Sequence, residues 1–391
     1  MELLKKFEAH AATRDALASQ GTAPTEITIE KILSPTEAMI DGRHTLLVGT
    51  NNYLGLTFDP ECIAAGQRAL QEEGTGTTGS RMANGTYSDH KMLEQELAEF
   101  YGYPYGMVFS TGYAANLGAL VALAGPDDAV LLDADAHASL YDGCKMTGAA
   151  IYRFKHNDTE SLESRLRRLG DHARRTLVVV EGLYSVFGDK APLAEIARIK
   201  DKYGACLFVD EAHSLGVFGD NGRGVVESDG ILDQADFVVG TFSKSLGSIG
   251  GFCVSRHAEL PLFRYASRPY IFTASPCPSV IATTRMALQQ IRKRPELRTQ
   301  LWDNATRLYN GLKEMGYELG PDISPVVAVR FVERAKALGF WQKLLKSGIY
   351  TNLMQPPATP DGSSLVRCSI TAAHTTEQVE RILAAFRGAA G

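Results

Sequence analysis

The sequence has no C-x-x-C pair, no block of like charges, and no apolar run near the roughly 18 residues that span a bilayer. Each absence removes a class of protein. Six cysteines without a dithiol pair read as free thiols of a reducing cytoplasm, and Cys206 and Cys253 sit in strand-like apolar runs where a thiol behaves as a small hydrophobe. Lys and Arg total 40 against 45 Asp and Glu, a formal net charge of −5, so the charge pattern points to neither nucleic acid nor an anionic membrane. The opening stretch "MELLKKFEAHAATRDAL" mixes charge and apolar residues at helical spacing, which predicts a helix rather than a secretory leader. A small-molecule substrate in the cytoplasm is the expectation, with no nucleic acid and no transmembrane segment.

Two short motifs lack the context that would give them meaning. "DEAH" at 210–213 spells a helicase box, yet no G-x-x-x-x-G-K-[ST] loop is present to hold a triphosphate. "GTGTTG" at 74–79 matches a dinucleotide fingerprint, but a strand is needed before it and "ECIAAGQRALQEE" reads as a helix.

What is present is an alternation. From about residue 128, short apolar runs ("AVLLDAD", "AAIYRF", "TLVVVEG", "ACLFVD", "ADFVVGTFSK", "GGFCVS") alternate over much of their course with helical segments such as "TESLESRLRRLG" and "LAEIARIKDKYG". Runs such as "TLVVV" lack polar alternation, as strands covered on both faces do, so the fold class is α/β with a mostly parallel central sheet. After about residue 276 long helical stretches precede "VVAVRF", "SLVRCSIT" and a closing helix, predicting a smaller α+β domain. The expected division is an N-terminal arm (1–45) with its own helix, a large domain (46–275) and a small C-terminal domain (276–391), in keeping with 391 residues.

One lysine needs explaining. Lys244 lies between two serines in "GTFSKSLGSIGG" (240–251), directly after an apolar strand. Asp210 ends another such strand, and His213 follows three residues later. Open α/β sheets bind ligands at this carboxyl edge. A lysine that condenses with an aldehyde and an aspartate that pairs with a pyridinium nitrogen suit pyridoxal 5'-phosphate. Its phosphate would find backbone N–H groups where "FSTGYAANLGAL" (109–120) turns into a helix, plus the hydroxyls of Thr241 and Ser243.

With these residues in place, eight ordered stretches resemble the α-oxoamine synthase family: "NNYLGL" (51–56), "GTGTTGSRMANGT" (74–86), "STGYAAN" (110–116), "DADAHASLYDG" (133–143), "EGLYSVFGD" (181–189), "VDEAHSLGVFG" (209–219), "GTFSKSLGSIGG" and "IFTASPCP" (271–278). The resemblance runs on through "RCSITAAHT" (367–375) and so covers essentially the whole chain. It implies the aspartate-aminotransferase-like, fold-type I architecture of pyridoxal-phosphate-dependent transferases, and the decarboxylative condensation of an amino acid with an acyl-CoA. By position, Lys244 would carry the cofactor and act as acid and base at the substrate Cα. Asp210 would meet the pyridine nitrogen, His213 and Ser185 the ring oxygen, and His137 the ring face. Gly112, Tyr113, Thr241 and Ser243 would hold the phosphate, and Thr273 would reach the phosphate of a neighbouring subunit, which implies a homodimer. Arg367 would grip the substrate carboxylate, helped by Asn51 or Asn52.

Within the family, "KILSPTEAMIDGR", "HASLYDGC", "RPYIFTAS" and "PPATP" (356–360) resemble the soluble bacterial branch that joins L-serine to a long-chain acyl-CoA, palmitoyl-CoA, to give 3-ketodihydrosphingosine, CoA and CO2. Gln355 departs from that branch, which usually carries an arginine directly before "PPATP". The alternatives are a relative using glycine or L-alanine with another acyl-CoA and, from another class, an aminotransferase or aldolase sharing the lysine and aspartate.

Overall fold

The computed structural model describes residues 1–19, 21, 24–356 and 358–390, so Pro357 of "PPATP" lies outside the described residues. Three sheets organise it. Near the N-terminus, β1 (Ile29–Ser34), β2 (Glu37–Ile40) and β3 (Arg43–Leu47) form an antiparallel meander. Seven strands follow in a central sheet: β4 (Tyr105–Phe109), β5 (Ala129–Asp133), β6 (Ala150–Phe154), β7 (Thr176–Glu181), β8 (Cys206–Asp210), β9 (Phe237–Thr241) and β10 (Gly251–Ser255). Their spatial order is β4-β10-β9-β8-β7-β5-β6. The neighbours from β9 through β6 are parallel, and β10 runs antiparallel to both β9 and β4. The third sheet is β11 (Val326–Phe331), β14 (Ser364–Ser369) and β13 (Asn352–Met354), while β12 (Ile349–Tyr350) pairs parallel with β3.

The inner strands of this sheet are apolar through their middles because they serve two cores at once. Along β7, Val178 and Val180 belong to one buried cluster and Leu177 and Val179 to the other; Leu207 and Val209 of β8 oppose Phe208 in the same way. Side chains alternate across a strand with period two, so a sheet covered on both faces needs hydrophobes at every position. Each fully buried Val or Leu contributes about 1.5–3 kcal/mol of transfer free energy. The helices expected from the sequence cover these faces, among them Ala138–Thr147, Thr159–Leu169 and Leu193–Tyr203.

This topology gathers polar side chains at one edge. Asp133, Glu181, Asp210 and Thr241 are the last residues of β5, β7, β8 and β9, all parallel, so they emerge together at the carboxyl edge. Gly251, the first residue of antiparallel β10, is in register with Thr241 on one side and Phe109, the end of β4, on the other.

The long helical stretches expected after 276 are two helices, Pro278–Lys293 and Glu296–Glu314, divided at Pro295, which lacks the N–H an unbroken helix would need. The N-terminal segment holds a helix, Glu8–Ala18, but goes on into the meander, whose last strand reaches the C-terminal part through β12. Among the described residues, no helix is long and apolar enough to cross a membrane.

Candidate active site

A cavity of about 430 Å³ opens at the carboxyl edge, and Lys244, Asp210, His213 and His137 all line it. Asp210 is buried and held from two sides. Asn116 Nδ2 donates to its Oδ2 at 2.7 Å, and the backbone N–H of Ala212 donates to its Oδ1 at 2.8 Å. Asn116 also donates to Ser139 Oγ at 2.9 Å, and Ser139 Oγ is 2.7 Å from Nδ1 of His137. His137 caps the helix Ala138–Thr147, and its own N–H donates to Glu181 Oε1 at 2.6 Å. A chain of short contacts thus fixes the aspartate and the histidine relative to each other.

Removal from water shifts the groups around Lys244 toward neutrality. Burial lowers the Lys244 amine to about 8, with Arg367 adding to the effect and the charges of Asp210 and Glu181 opposing it. Burial, then Lys244, Arg367 and His137, hold His213 well below the ordinary imidazole range. His137 stays accessible at the cavity mouth, yet the protein around it displaces enough water to lower its pKa as well. Burial and neighbouring Asp210 push the Glu181 carboxyl well upward. His213 Nδ1 lies 2.7 Å from the Tyr53 hydroxyl, whose pKa burial raises to about 12.

At one wall the helix Gly112–Leu123 begins against the end of β9. Thr111 caps it, its side chain accepting from Ala114 N at 2.9 Å; a helix start leaves its first N–H groups without carbonyl partners, and Gly112 and Tyr113 at this start line the cavity. Gly112 permits the approach: a Cβ there would lie 2.7 Å from Thr241 Cβ. Thr241 Oγ1 is 2.9 Å from Ser243 Oγ and donates to the Gly250 carbonyl at 3.0 Å. Tyr113 also lines the cavity, its hydroxyl bonded to Asp142.

A second cavity of about 370 Å³ shares Asn51, Ser185 and His213 with the first and is also lined by Arg367. The Arg367 guanidinium is buried and oriented by three acceptors: the Ser185 carbonyl at 2.7 Å from Nε, Ser369 Oγ at 2.9 Å and Asn51 Oδ1 at 3.3 Å. The doubled asparagine divides its work. Asn51 lines both cavities, whereas Asn52 donates to Thr57 Oγ1 at 2.8 Å and lines neither. Thr273 is half-buried in the loop after the helix Arg268–Ile271 and is not part of either wall. Gln355 also lies outside both walls, accepting from Arg334 Nε at 2.9 Å.

Four supporting residues had no role in the sequence reading: Asn116, Ser139, Glu181 and Tyr53. All lie inside the stretches that carried the resemblance, but spacing along the chain does not say which neighbour a side chain will meet. The two discarded motifs are structural. Glu211 of "DEAH" accepts from the backbone N–H groups of Val225 and Val226 at 3.0 and 2.7 Å, and a helix, Pro60–Glu73, precedes "GTGTTG".

The sheet order, the edge cavity and its lysine and aspartate define an α/β enzyme built to hold a ligand between a helix start and a basic side chain. Residues 43–386 match the model of the family described as aminotransferase class I and II. The chain belongs to that family and, within it, to the α-oxoamine synthases. It is 53% identical over 383 residues to a serine palmitoyltransferase from Caulobacter vibrioides, covering 97% of this chain and 95% of that one. A solved serine palmitoyltransferase from Sphingomonas wittichii superposes with a TM-score of 0.97 at 52% identity, covering 99% of this chain and 98% of the other. A variant of the S. paucimobilis enzyme, solved with PLP and myriocin bound, gives 0.97 at 51% identity with the same coverage.

Proposed function

We propose that the chain is a pyridoxal-phosphate-dependent acyltransferase that condenses L-serine with palmitoyl-CoA, releasing CoA and CO2 and giving 3-ketodihydrosphingosine, the first step of sphingolipid synthesis. The observation that carries this reading is the convergence of Lys244, Asp210 and Arg367 on joined cavities in a chain more than half identical to a serine palmitoyltransferase. The donor set fits the cofactor group by group. Buried Asp210 offers a fixed carboxylate to a pyridinium nitrogen, and the N–H groups of Gly112 and Tyr113, with the hydroxyls of Thr241 and Ser243, offer donors to a phosphate. His137, His213 and Ser185 also line the cavity, where His137 would cover the ring face and His213 and Ser185 would serve the ring oxygen. When bound, pyridoxal phosphate supplies an electron sink for negative charge at the amino acid's Cα.

The chain's own residues do the rest. Arg367 and Asn51 hold the amino-acid carboxylate, and because Arg367 is already locked by Ser185 and Ser369 it orients the substrate with little further loss of freedom. The bond to be broken then stands where Lys244 can act. With its pKa near 8, Lys244 exists in both protonation states near neutrality, which suits a group that removes the Cα proton and later returns one. Leu353 and Met354 give the second cavity apolar surface for the acyl chain.

The site works in a cytoplasmic homodimer, with Thr273 reaching the phosphate of the neighbouring subunit. Exposed apolar side chains around the 262–272 segment, Phe272 at 72% and Tyr265 at 70% exposure, support such a contact. For the chain's organisation we keep an N-terminal arm (1–45), a large domain (46–275) and a small C-terminal domain (276–391), a reading supported by the separate sheet of β11, β14 and β13 in the last part.

The test is release of CoA thiol from the purified, cofactor-loaded chain across a panel of amino acids and acyl chain lengths. L-serine with palmitoyl-CoA is expected to give the highest kcat/KM. Preference for glycine or L-alanine would move the chain to the alternative branch of the family, and transamination without CoA release would reject acyl transfer.

A further inference from the structure

Outside both cavities, one side chain connects the two loops that bring His137 and Ser185 to the site. His156, just beyond β6, has Nδ1 2.8 Å from Asp133 Oδ1 and Nε2 2.6 Å from Asp189 Oδ2. Asp133 ends β5 and leads directly into the loop that carries His137. Asp189 closes the loop after β7: its carbonyl accepts from Tyr184 N at 2.9 Å, next to Ser185, whose own carbonyl holds Arg367. The Tyr184 ring meets the imidazole edge to face, centroids 4.4 Å apart at 88°. Asn157 repeats the connection, donating from its backbone to Asp133 Oδ2 at 3.0 Å and from Nδ2 to Asp189 Oδ2 at 2.9 Å.

A neutral imidazole has one N–H and one lone pair, so one of the two carboxylates would face a lone pair; only the imidazolium donates to both. We propose that His156 is held as an imidazolium bridging Asp133 and Asp189, and that it is a positioning residue, fixing the His137 loop against the Ser185–Arg367 side of the site. The groups facing the ring are Asp133, Asp189, Asp135 at 4.0 Å and the Tyr184 ring. Burial opposes the charged ring, but the hydrogen bonds and charges of Asp133 and Asp189 outweigh it and raise His156 to about 10. Without the cation, two buried carboxylates would face one another across the space it leaves, and the loops would move apart.

The catalytic consequence rests on the proposed condensation; the bridge itself rests on the two contacts. The experiment therefore has two arms. In the holoenzyme with nitrogen-15-labelled histidine, the His156 signals, identified by their loss in His156→Gln, should show both ring nitrogens protonated at about pH 8, above the ordinary imidazole value of about 6.5. A neutral tautomer at that pH overturns the bridge. In the kinetic arm, His156→Gln removes the cation between the two carboxylates and should lose roughly ten- to a hundredfold in kcat/KM for the amino acid, the scale of a small misplacement. Asp189→Asn, which keeps the shape if His156→Gln fails to fold, should shift the His156 titration and the alkaline limb of kcat/KM together toward neutral pH. Unchanged kinetics and pH profile in these variants overturn the positioning role. A wild-type chain inactive with every amino acid sinks the condensation and leaves the nuclear magnetic resonance result to decide the bridge.

Discussion

In its proposed role Lys244 would have to be nucleophilic near neutral pH, which a lysine in water is not, and desolvation is what reconciles the two. Only the neutral amine can attack an aldehyde, so covalent loading of cofactor-free chain should accelerate as pH rises, reach half its maximum near 8 and then level off. Stopped-flow mixing with pyridoxal phosphate checks this; a midpoint near the ordinary lysine value of about 10.4 would mean that the site does not shift the amine. The Lys244→Ala chain should have no measurable turnover while retaining cofactor noncovalently on its phosphate and aspartate contacts. Condensation persisting in that variant would contradict the assignment. Sequence alone could nominate Lys244, Asp210 and His213, because strand ends are readable. It could not separate Asn51 from Asn52: adjacent residues in irregular backbone have no period to decide which one faces Arg367.

At the scale of elements, the decisive contact is the start of the helix Gly112–Leu123 against the end of β9. A methyl group at residue 112 would meet Thr241 Cβ at 2.7 Å and Oγ1 at 2.8 Å, and both partners are fixed, one by the sheet and the other by its bond to Gly250. Gly112→Ala should therefore cost roughly 1–3 kcal/mol through forced displacement. Because the displaced N–H groups are the proposed phosphate donors, cofactor affinity should fall as well, measured by equilibrium dialysis. Unchanged affinity would place the phosphate elsewhere. The elements themselves were legible where physics is local: the apolar runs appear as strands of five or six residues and the amphipathic segments as helices. The meander β1–β3 was not legible, because its short strands are defined by pairing with one another and with β12, about 300 residues downstream.

For the whole molecule, the proposed dimer makes a prediction that one chain cannot. Sedimentation should show a dimer at working concentration, and Phe272→Glu, which puts charge on an exposed apolar side chain, should raise the dissociation constant and reduce activity as monomer accumulates. A fully active monomer would remove Thr273 from the cofactor's surroundings.

The α/β class, the run of buried strands and the residues that end them follow from the order of amino acids alone, because burial on both faces and strand termination are written into consecutive residues. Which strand ends become neighbours, that Asn116 and Ser139 lock Asp210 to His137, and that His156 lies between Asp133 and Asp189 emerge only in the folded molecule. Those contacts join residues 23 to 94 positions apart. Their geometry follows from strand order, which is set by how the whole sheet packs between two cores and not by any local stretch of chain.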